Sequence, residues 1–563
     1  MKHLKELIKN NKLMIGIYLS LGILLAFLNN YSATYFQTVI DRFNDGSLSV
    51  GVLAIYGTVL ILLCVLNYVD EYPGRKLEHG IYLDLKLIAL RKISRIDYQA
   101  YQTIGTGKLI QRIENGASAG KGVVFDYAFT LIRDIIPSIM FSMIFIYAMN
   151  KAIMLAILLG YVFVFIITNL LLKVLYRIKE RILTSEETLN HFLVRGFMEM
   201  VVFRLNKRFG YERAKAYDAR NQIVAAKVKM TLIHEAFFAI FFLMIIIVKI
   251  AIIVYGWVTG SLSIGAIVAL ITLVDHAYTP IAVFNVLFVQ YKLDKTAFKR
   301  YEEFLDSPDD EQLTHGHRIT CVKGNITFNR IRFYYTNRTI FDGLDLSITE
   351  GENVAIVGES GSGKSTIAKL VTGLLKPDEG EILVDGCNLS SINLCSYYDH
   401  IAFVPQDSPV FDGTLRENIV FENVSSDEKI IEVLKKVGLE NLYHNLYKGL
   451  DTKLGERGHV LSGGERQRLA LARLWFSEAS VVILDEATSA MDNLTEEFVM
   501  THVMELLHDK TVIVIAHRLS FIKNFKRIIV FKNGEIMGHG DFPKLIKSNP
   551  YFHELYRTGL NNQ

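Results

Sequence analysis

Six long apolar runs in the first half of the sequence place the strongest constraint on its fold. A transmembrane helix needs about 20 consecutive apolar residues, and most of these runs reach that length. The first follows a lysine-rich start, as in a secretory signal, but it exceeds the roughly 7–15 apolar residues of a signal core, and further runs follow it. The sequence therefore predicts transmembrane helices over about 13–36, 52–69, 131–149, 152–172, 232–257 and 264–289.

Basic residues predict the orientation of these helices. The segments between the second and third runs and between the fourth and fifth are rich in lysine and arginine, whereas the other connections are short and poor in both. The two basic segments are therefore expected in the cytoplasm. Both carry apolar residues at helical spacing, so we expect the membrane helices to extend into the cytoplasm and turn near 98–107 and 203–211. Each turn is expected either as a solvated tip or as a short helix docked on a cytoplasmic domain.

The overall charge is nearly balanced, with 61 Lys and Arg against 58 Asp and Glu. A nucleic-acid-binding protein needs a strongly basic face, so the expected environment is a lipid bilayer and nucleic acid is not an expected partner. The four cysteines form no C-x-x-C pair and have no zinc-finger spacing, so they are expected to be reduced thiols without a metal.

The second half of the sequence changes character. A charged helix is expected at 295–304, the polar stretch 306–318 has the composition of a linker, and from Ile319 strand-like runs alternate with helical ones. An α/β domain is therefore expected after the membrane helices. The predicted divisions are a membrane domain at 1–304, a linker at 305–318 and an α/β domain at 319–563.

The stretch 358–366 reads GESGSGKST and fits the phosphate-binding pattern G-x-x-x-x-G-K-[S/T]. A strand-like run precedes it and a helical run follows, which is the context that the pattern requires. In such a loop the backbone N–H groups surround a polyphosphate, Lys364 reaches the terminal phosphates and the Ser365 hydroxyl binds Mg²⁺. The predicted nucleotide contacts are Gly358, Ser360, Gly361, Gly363, Lys364, Ser365 and Thr366.

A second strand-like run, 481–486, ends in two adjacent carboxylates. Asp485 is placed to hold Mg²⁺, directly or through water, and Glu486 to polarise an attacking water. Consecutive acids at a strand end can also be merely solvated, but a phosphate loop in the same domain favours catalysis. Between the two sites, a serine and two glycines at 462–464 open a helical run, a further place for an anion.

The stretch 461–468, LSGGERQR, resembles the LSGGQ signature of ATP-binding cassette (ABC) transporters, with Glu465 in place of glutamine. Further motifs follow in the family's order, and the loop at 455–458 resembles one found in exporters. The resemblance implies that Tyr335 stacks on adenine, with Tyr334 the less favoured choice, and that Gln406 senses Mg²⁺ and contacts the membrane domain. The other residues that it implicates in the ATP site are Ser462, Gly463, Gly464, Asp492 and the switch histidine His517.

What the resemblance implies is a bacterial exporter-type half-transporter: six long transmembrane helices followed by an α/β ATP-binding cassette. Two chains, most simply a homodimer, would hold two ATP between their cassettes, each signature completing the other chain's phosphate loop. The implied activity is ATP-driven export of an amphipathic peptide, lipid or drug-like molecule across the inner membrane, with the cassette in the cytoplasm. The alternatives are an importer of exporter fold, with siderophore-like cargo, and an ATP-gated channel or regulator.

Three ionisable residues interrupt the last two apolar runs: Lys249, Asp275 and His276. Charged groups at such depth are costly and usually face a cavity or one another. One hypothesis places all three on the wall of a substrate chamber. The other is a structural pair, or a lysine whose ammonium reaches the membrane surface.

Overall fold

The structure is a computed structural model that describes residues 2–335, 338–421, 423–455, 458–516, 518 and 521–561. The chain forms two compact units. The first comprises Met1–Ser94 and Ile104–Ser307, and the second comprises Arg95–Thr103 and Pro308–Gln563.

The first unit is helical. Its α-helices are α1 (Lys2–Asn10), α2 (Lys12–Asn44), α3 (Val50–Ile93), α4 (Tyr98–Ile104, of which only the last residue belongs to this unit), α5 (Thr106–Lys121), α6 (Ile136–Met149), α7 (Lys151–Met198), α8 (Met200–Leu205), α9 (Phe209–Thr259) and α10 (Ile264–Leu305). Two π-helical segments, Gly122–Phe129 and Leu131–Ile135, join α5 to α6.

In the described part of the chain, five helical stretches are long and apolar enough to cross a bilayer. They are Lys12–Asn44, Val50–Ile93, Leu109–Met149, Phe209–Thr259 and Ile264–Leu305. The remaining predicted span, 152–172, falls in α7, where the described apolar helix covers Lys151–Val164 and the side chains at 168–173 lie outside the described residues. The predicted all-α membrane domain is confirmed.

The membrane helices run well past the length that a bilayer requires, as predicted. α3 has 44 residues and α9 has 51, against about 20 for a span. Short helices lie at both predicted turns, α4 at the first and α8 at the second.

The first turn belongs to the second unit through Arg95–Thr103. The backbone N–H of Asp97 donates to the carbonyl of Pro308 at 3.0 Å, and the N–H of Asp310 donates to the carbonyl of Arg95 at 2.7 Å. The Tyr98 side chain packs against the hydrophobic core of that unit. The first turn is therefore a short helix docked on the α/β unit rather than a solvated tip.

A buried charge cluster that sequence reasoning did not single out joins α2, α3 and the π-helical segment. The Arg133 guanidinium lies 4.1 Å from the centre of the Tyr18 ring, donates to its hydroxyl at 3.0 Å and forms an ion pair with Asp70. A Cβ on Gly22 would meet the Arg133 side chain at 1.9 Å, so only glycine leaves room for it. Because one charge left without the other would be buried unpaired, the cluster ties the three segments together.

The second unit contains two sheets. Its strands are β1 (Ile326–Tyr335), β2 (Arg338–Ile348), β3 (Asn353–Gly358), β4 (Glu379–Val384), β5 (Cys387–Asn388), β6 (Ile401–Val404), β7 (Val481–Asp485), β8 (Thr511–Ile515), β9 (Arg527–Lys532) and β10 (Glu535–Gly540). The smaller sheet is antiparallel with strand order β2-β1-β4-β5. The larger has order β10-β9-β3-β8-β7-β6 and is parallel except for β10.

Helices accompany these strands along the chain. They are α11 (Lys364–Val371), α12 (Leu394–Tyr398), α13 (Leu415–Val420), α14 (Asp427–Lys436), α15 (Glu440–Asn445), α16 (Gly463–Ala472), α17 (Asn493–Leu506), α18 (Phe542–Ser548) and α19 (Pro550–Asn561). The predicted α/β domain is confirmed.

The larger sheet is buried on both faces. Ala355 and Val357 of β3 belong to one core cluster. Val354 and Ile356 belong to another. Successive side chains of a strand point to opposite faces, which explains why this parallel strand reads as a continuous apolar run. The carboxyl ends of its parallel strands form one edge, the usual place for a ligand in such a sheet.

Candidate nucleotide site

The loop between β3 and α11 is shaped by glycines. A Cβ on Gly358 would lie 2.2 Å from the carbonyl oxygen of Phe531. Gly363 has φ +103°, and a Cβ there would lie 2.7 Å from the Phe341 ring. Any other residue at either position would displace neighbouring atoms, so the glycines keep the backbone N–H groups of the loop open toward a ligand.

Lys364 begins α11, and its side chain is buried. Its ammonium donates to the carbonyl oxygens of Gly358 and Glu359, both at 2.8 Å. Burial lowers the pKa of Lys364, whereas the nearby carboxylates of Glu486 and Asp485 favour its charged form. The ammonium is thus held inside the loop, where phosphate oxygens would be stronger acceptors than the carbonyls.

Oxygen ligands suited to Mg²⁺ meet beside this lysine. The Ser365 hydroxyl donates to Asp485 Oδ1 at 3.1 Å, and Asp485 is buried at the end of β7. Burial raises the pKa of Asp485, and the hydrogen bond from Ser365 lowers it. Mg²⁺ prefers hard oxygen ligands and keeps several waters, so a serine hydroxyl with one carboxylate fits it.

The loop also contains a polar atom that fits a bound phosphate. The Ser362 hydroxyl is buried and has no hydrogen-bond partner among the described residues. Gly363, which precedes α11, provides no side-chain cap for the free N–H groups of the helix. Unpaired donors of this kind are costly unless a ligand or water satisfies them, so the loop suits an anion.

Glu486 follows β7 with an unusual backbone. Its φ is +50°, in the left-handed region that residues other than glycine seldom adopt. Its carboxylate accepts a hydrogen bond from the Gln406 amide at 2.7 Å, and Gln406 follows β6. Gln406 thus contacts the candidate catalytic carboxylate rather than the Ser365–Asp485 pair.

Tyr335 ends β1 and is partly buried, whereas Tyr334 is exposed. Tyr335 pairs with Arg338 of β2, and the Arg338 guanidinium donates to the carbonyl of Gly361 at 3.2 Å. The smaller sheet thus contacts the phosphate loop through Arg338, the strand partner of Tyr335, and the stacking of Tyr335 on adenine stays a prediction.

The signature stretch begins α16, and its unusual glutamate forms a helix cap. Glu465 accepts hydrogen bonds from both the backbone N–H and the hydroxyl of Ser462, each at 2.7 Å. The Ser462 hydroxyl in turn accepts from the Glu465 N–H at 3.3 Å. This is a capping box, which the spacing S-x-x-E itself signals but which sequence reasoning missed. Gly463 and Gly464 lie in the first turn of the helix.

Of the two remaining predicted contacts, Asp492 lies within the described residues and His517 does not. The Asp492 carboxylate caps α17 and accepts from the Thr495 N–H at 2.9 Å and from its hydroxyl at 2.6 Å. These hydrogen bonds lower the pKa of Asp492. His517 and the central residues of the 455–458 loop lie outside the described residues.

Comparison with known proteins agrees with this geometry. Residues 15–280 match the ABC transporter transmembrane region, and residues 341–489 match the ABC transporter family. YwjA of Bacillus subtilis (strain 168), an uncharacterized ABC transporter ATP-binding protein, is 31% identical over 91% of this chain and 89% of its own length. This chain belongs to the ABC transporter family.

Other relatives of this ABC transporter match it in part. The leukotoxin translocation ATP-binding protein LktB of Mannheimia haemolytica is 36% identical over 54% of this chain. The leukotoxin export ATP-binding protein LtxB of Aggregatibacter actinomycetemcomitans is 34% identical over 53% of it. Each match spans 43% of the relative's length.

A solved structure shares the fold of this ABC transporter. A bacterial Atm1-family ABC exporter with ATP bound superposes with a TM-score of 0.81, covering 98% of each chain at 22% identity. At that identity the likeness is one of fold.

Three ionisable residues of the membrane helices, Lys249, Asp275 and His276, do not form a single cluster of contacts. The Lys249 ammonium forms an ion pair with Asp275 at 2.7 Å, between α9 and α10. His276 Nδ1 lies 3.3 Å from the Asn30 side-chain oxygen. Lys249 and Asp275 are therefore a pair, as the structural hypothesis has it, and their role in a chamber stays a prediction.

Gln467 lies within the stretch 461–468, but no sequence pattern predicts a role for it. Its side chain is buried and bonds to the loop that follows Glu486. The motif carries no local signal of this contact, because the two segments lie about 20 residues apart in the sequence.

Proposed function

We propose that this ABC transporter is an ATP-driven exporter that hydrolyses ATP with Mg²⁺ to move an amphipathic substrate out of the bacterial cytoplasm. The observation that carries the proposal is the convergence of five side chains at one sheet edge, in the same chain as the membrane helices. They are Lys364, Ser365, Gln406, Asp485 and Glu486.

In this mechanism the chain's own residues divide the work. Lys364 neutralises the terminal phosphates, while Ser365 and Asp485 hold Mg²⁺, which supplies electrophilic polarisation of the phosphate oxygens when bound. Glu486 orients and polarises the attacking water, and Gln406 fixes the carboxylate through its amide. Nucleotide can drive transport only by binding one state of the transporter more tightly than the other.

The proposed working unit is a homodimer. Within the described residues, no hydrogen bond or ion pair joins the signature at 462–464 to the phosphate loop of its own chain, which suits a signature that serves a partner's ATP. The second cytoplasmic turn exposes apolar side chains, with Phe197 82%, Met198 77% and Leu205 77% exposed. We expect a partner's cassette to cover them, and a cassette groove of about 910 Å³ that Phe421 and Trp475 help to line is the expected acceptor.

The cargo is proposed only as a class: a peptide, a lipid or a drug-like molecule. LktB and LtxB, which match about half of this chain, are named for leukotoxin, and that cargo is a property of those proteins. The proposed location is the inner membrane, with the cassette in the cytoplasm, because the basic connections mark the cytoplasmic side.

The coupling and the direction of transport are testable in two steps. Wild-type protein in lipid nanodiscs is screened for ligands that stimulate its ATPase, and each hit is followed in inverted membrane vesicles. ATP-dependent uptake into inverted vesicles is expected of an exporter. ATP-dependent loss of preloaded ligand would indicate an importer, and ligand flux without turnover would indicate a gated channel.

Replacing Glu465 with glutamine should lower the KM for ATP by about two- to fivefold, since it removes a negative charge near the proposed γ-phosphate contact. Glutamine also completes a capping box, so the melting temperature should change little. Steady-state ATPase assays and thermal unfolding test this. Ser462→Ala, which removes the cap itself and costs α16 about 1 kcal/mol, is the control for lost helix stability in thermal unfolding only, because Ser462 is itself a proposed ATP contact. An unchanged KM in Glu465→Gln would contradict the proposed position of this carboxylate.

Neutralising the pair Lys249→Met and Asp275→Leu together separates the two hypotheses for these residues. Removing both charges leaves neither unpaired, so the variant should fold with a melting temperature near that of wild type. If the pair lines the chamber, substrate-stimulated ATPase should fall by about tenfold while basal ATPase stays unchanged. Unchanged stimulation and transport would assign the pair to structure alone.

A further inference from the structure

The buried amide of Gln467 connects the signature helix, α16, to the catalytic loop, which we define as residues 486–490. Its Nε2 donates to the Ser489 hydroxyl at 2.9 Å and to the Glu486 carbonyl at 3.4 Å, and its Oε1 accepts from the Ala490 N–H at 2.8 Å. Only 5% of Gln467 is exposed, although the polar loop that it contacts lies near the surface. All of the described hydrogen bonds of this side chain go to one five-residue segment, 486–490.

This segment needs external support because of the backbone of Glu486. Its φ of +50° persists only where surrounding contacts impose it. The Glu486 N–H donates to the Ile515 carbonyl at 3.0 Å, and its carbonyl accepts from the Ser489 N–H at 3.2 Å and from Gln467. Among the described residues, Gln467 supplies the side-chain hydrogen bond to the Glu486 backbone, whereas Gln406 contacts its carboxylate.

Arg518 also contacts this loop. Its guanidinium donates to the carbonyl of Ser489 at 3.1 Å and to that of Met491. The loop is therefore held by hydrogen bonds from both Gln467 and Arg518. A displacement of α16 would be transmitted to the loop through Gln467.

The first turn of α16 touches the same loop. Gly464 approaches so closely that a Cβ there would lie 2.9 Å from the Ala490 carbonyl oxygen, and a Cβ on Gly463 would lie 3.4 Å from the Ala490 Cβ. The signature residues and Gln467 thus contact Ala490 from consecutive turns of one helix. A ligand that binds the signature would therefore contact a helix that is hydrogen-bonded to the catalytic loop through Gln467.

We infer that Gln467 is a positioning residue that holds the Glu486 carboxylate in its productive orientation and links the signature helix to hydrolysis at the phosphate loop of its own chain. The inference rests on the proposed function. The described hydrogen bonds of Gln467 include none to Ser365, Gln406 or Asp485, so it acts through the backbone of Glu486. Its loss should therefore lower turnover and leave nucleotide binding intact.

The test uses Gln467→Met in the full-length protein in nanodiscs. Methionine keeps the length of the side chain and removes its three hydrogen bonds. The kcat should fall by about tenfold or more, with the KM for ATP within about twofold of wild type. ATP binding, measured with Mg²⁺ omitted, should be unchanged. Leu471→Met, a similar exchange at a buried position of the same helix, controls for repacking and should retain wild-type kcat.

A kcat within about twofold of wild type would overturn the inference, as would a rise in KM that accounts for the whole loss of kcat/KM. If Gln467→Met does not fold, Ser489→Ala decides, because it removes a single hydroxyl partner of the amide. That variant should lose about threefold in kcat at constant KM, and an unchanged kcat would overturn the inference. Absence of ATPase in wild-type protein would instead refute the proposed function, so the two failures are distinguishable.

Discussion

Replacing Glu486 with glutamine is expected to lower ATP turnover by about a hundredfold to a thousandfold or more, because the amide cannot polarise the attacking water as the carboxylate does. The exchange keeps the size of the side chain, and the hydrogen bond from Gln406 still finds an acceptor oxygen. Nucleotide binding should therefore survive. Phosphate release and ATP binding, measured on the same nanodisc preparation, separate the two effects.

A second readout follows from the proposed homodimer. Without hydrolysis, the Glu486→Gln variant should hold Mg²⁺–ATP and accumulate with its cassettes closed, which crosslinking between the cassettes of two copies can detect. The matched control is Glu497→Gln, an exposed residue of α17 with no ion pair among the described residues, which should behave as wild type. Normal turnover in Glu486→Gln would remove this residue from the mechanism.

Replacing Lys364 with methionine is expected to weaken ATP binding by roughly a hundredfold, corresponding to about 3 kcal/mol for a charge-assisted contact with phosphate. The ammonium is buried inside the phosphate loop, so no neighbouring cation can take its place without moving. Methionine retains the hydrophobic stem, and burial already disfavours the charge at this position. The fold should therefore survive the exchange.

Equilibrium binding of a fluorescent ATP analogue and thermal unfolding measure the two effects of Lys364→Met separately. Lys435→Met is the matched control, because this lysine forms an exposed ion pair with Glu440 on the cassette surface. It should bind nucleotide like wild type, since exposed pairs contribute little. A Lys364→Met variant with wild-type affinity would show that the loop binds phosphate through its backbone alone.

Local sequence patterns predicted those parts of the site that depend on residues close together in the chain. The phosphate loop needs glycines at fixed spacing between a strand and a helix, and 358–366 provides them. The acids at the end of β7 were equally readable, because an apolar run that stops at two carboxylates marks a strand edge. The capping box of Ser462 and Glu465 could have been predicted in the same way from its S-x-x-E spacing, but it was not.

Contacts between distant residues were not readable. The sequence gives no sign that Arg133 pairs with Asp70, since 63 positions separate them. The sequence also did not decide whether Lys249 and Asp275 line a substrate chamber or form a structural ion pair, because both roles require the same residue types. The hydrogen bond of Gln406 to Glu486, which lie 80 positions apart, is a further case.

The sequence by itself determined the membrane helices, the α/β domain that follows them and the presence of a phosphate loop with two acids. These features follow from periodicity and from spacing within a few residues, which the backbone translates directly into local structure. Only the tertiary structure decided which charges pair, the left-handed backbone of Glu486 and its support by Gln467. The reason is physical: a buried polar group takes whichever partner the fold brings within hydrogen-bond distance, and that partner is set by packing across the whole domain.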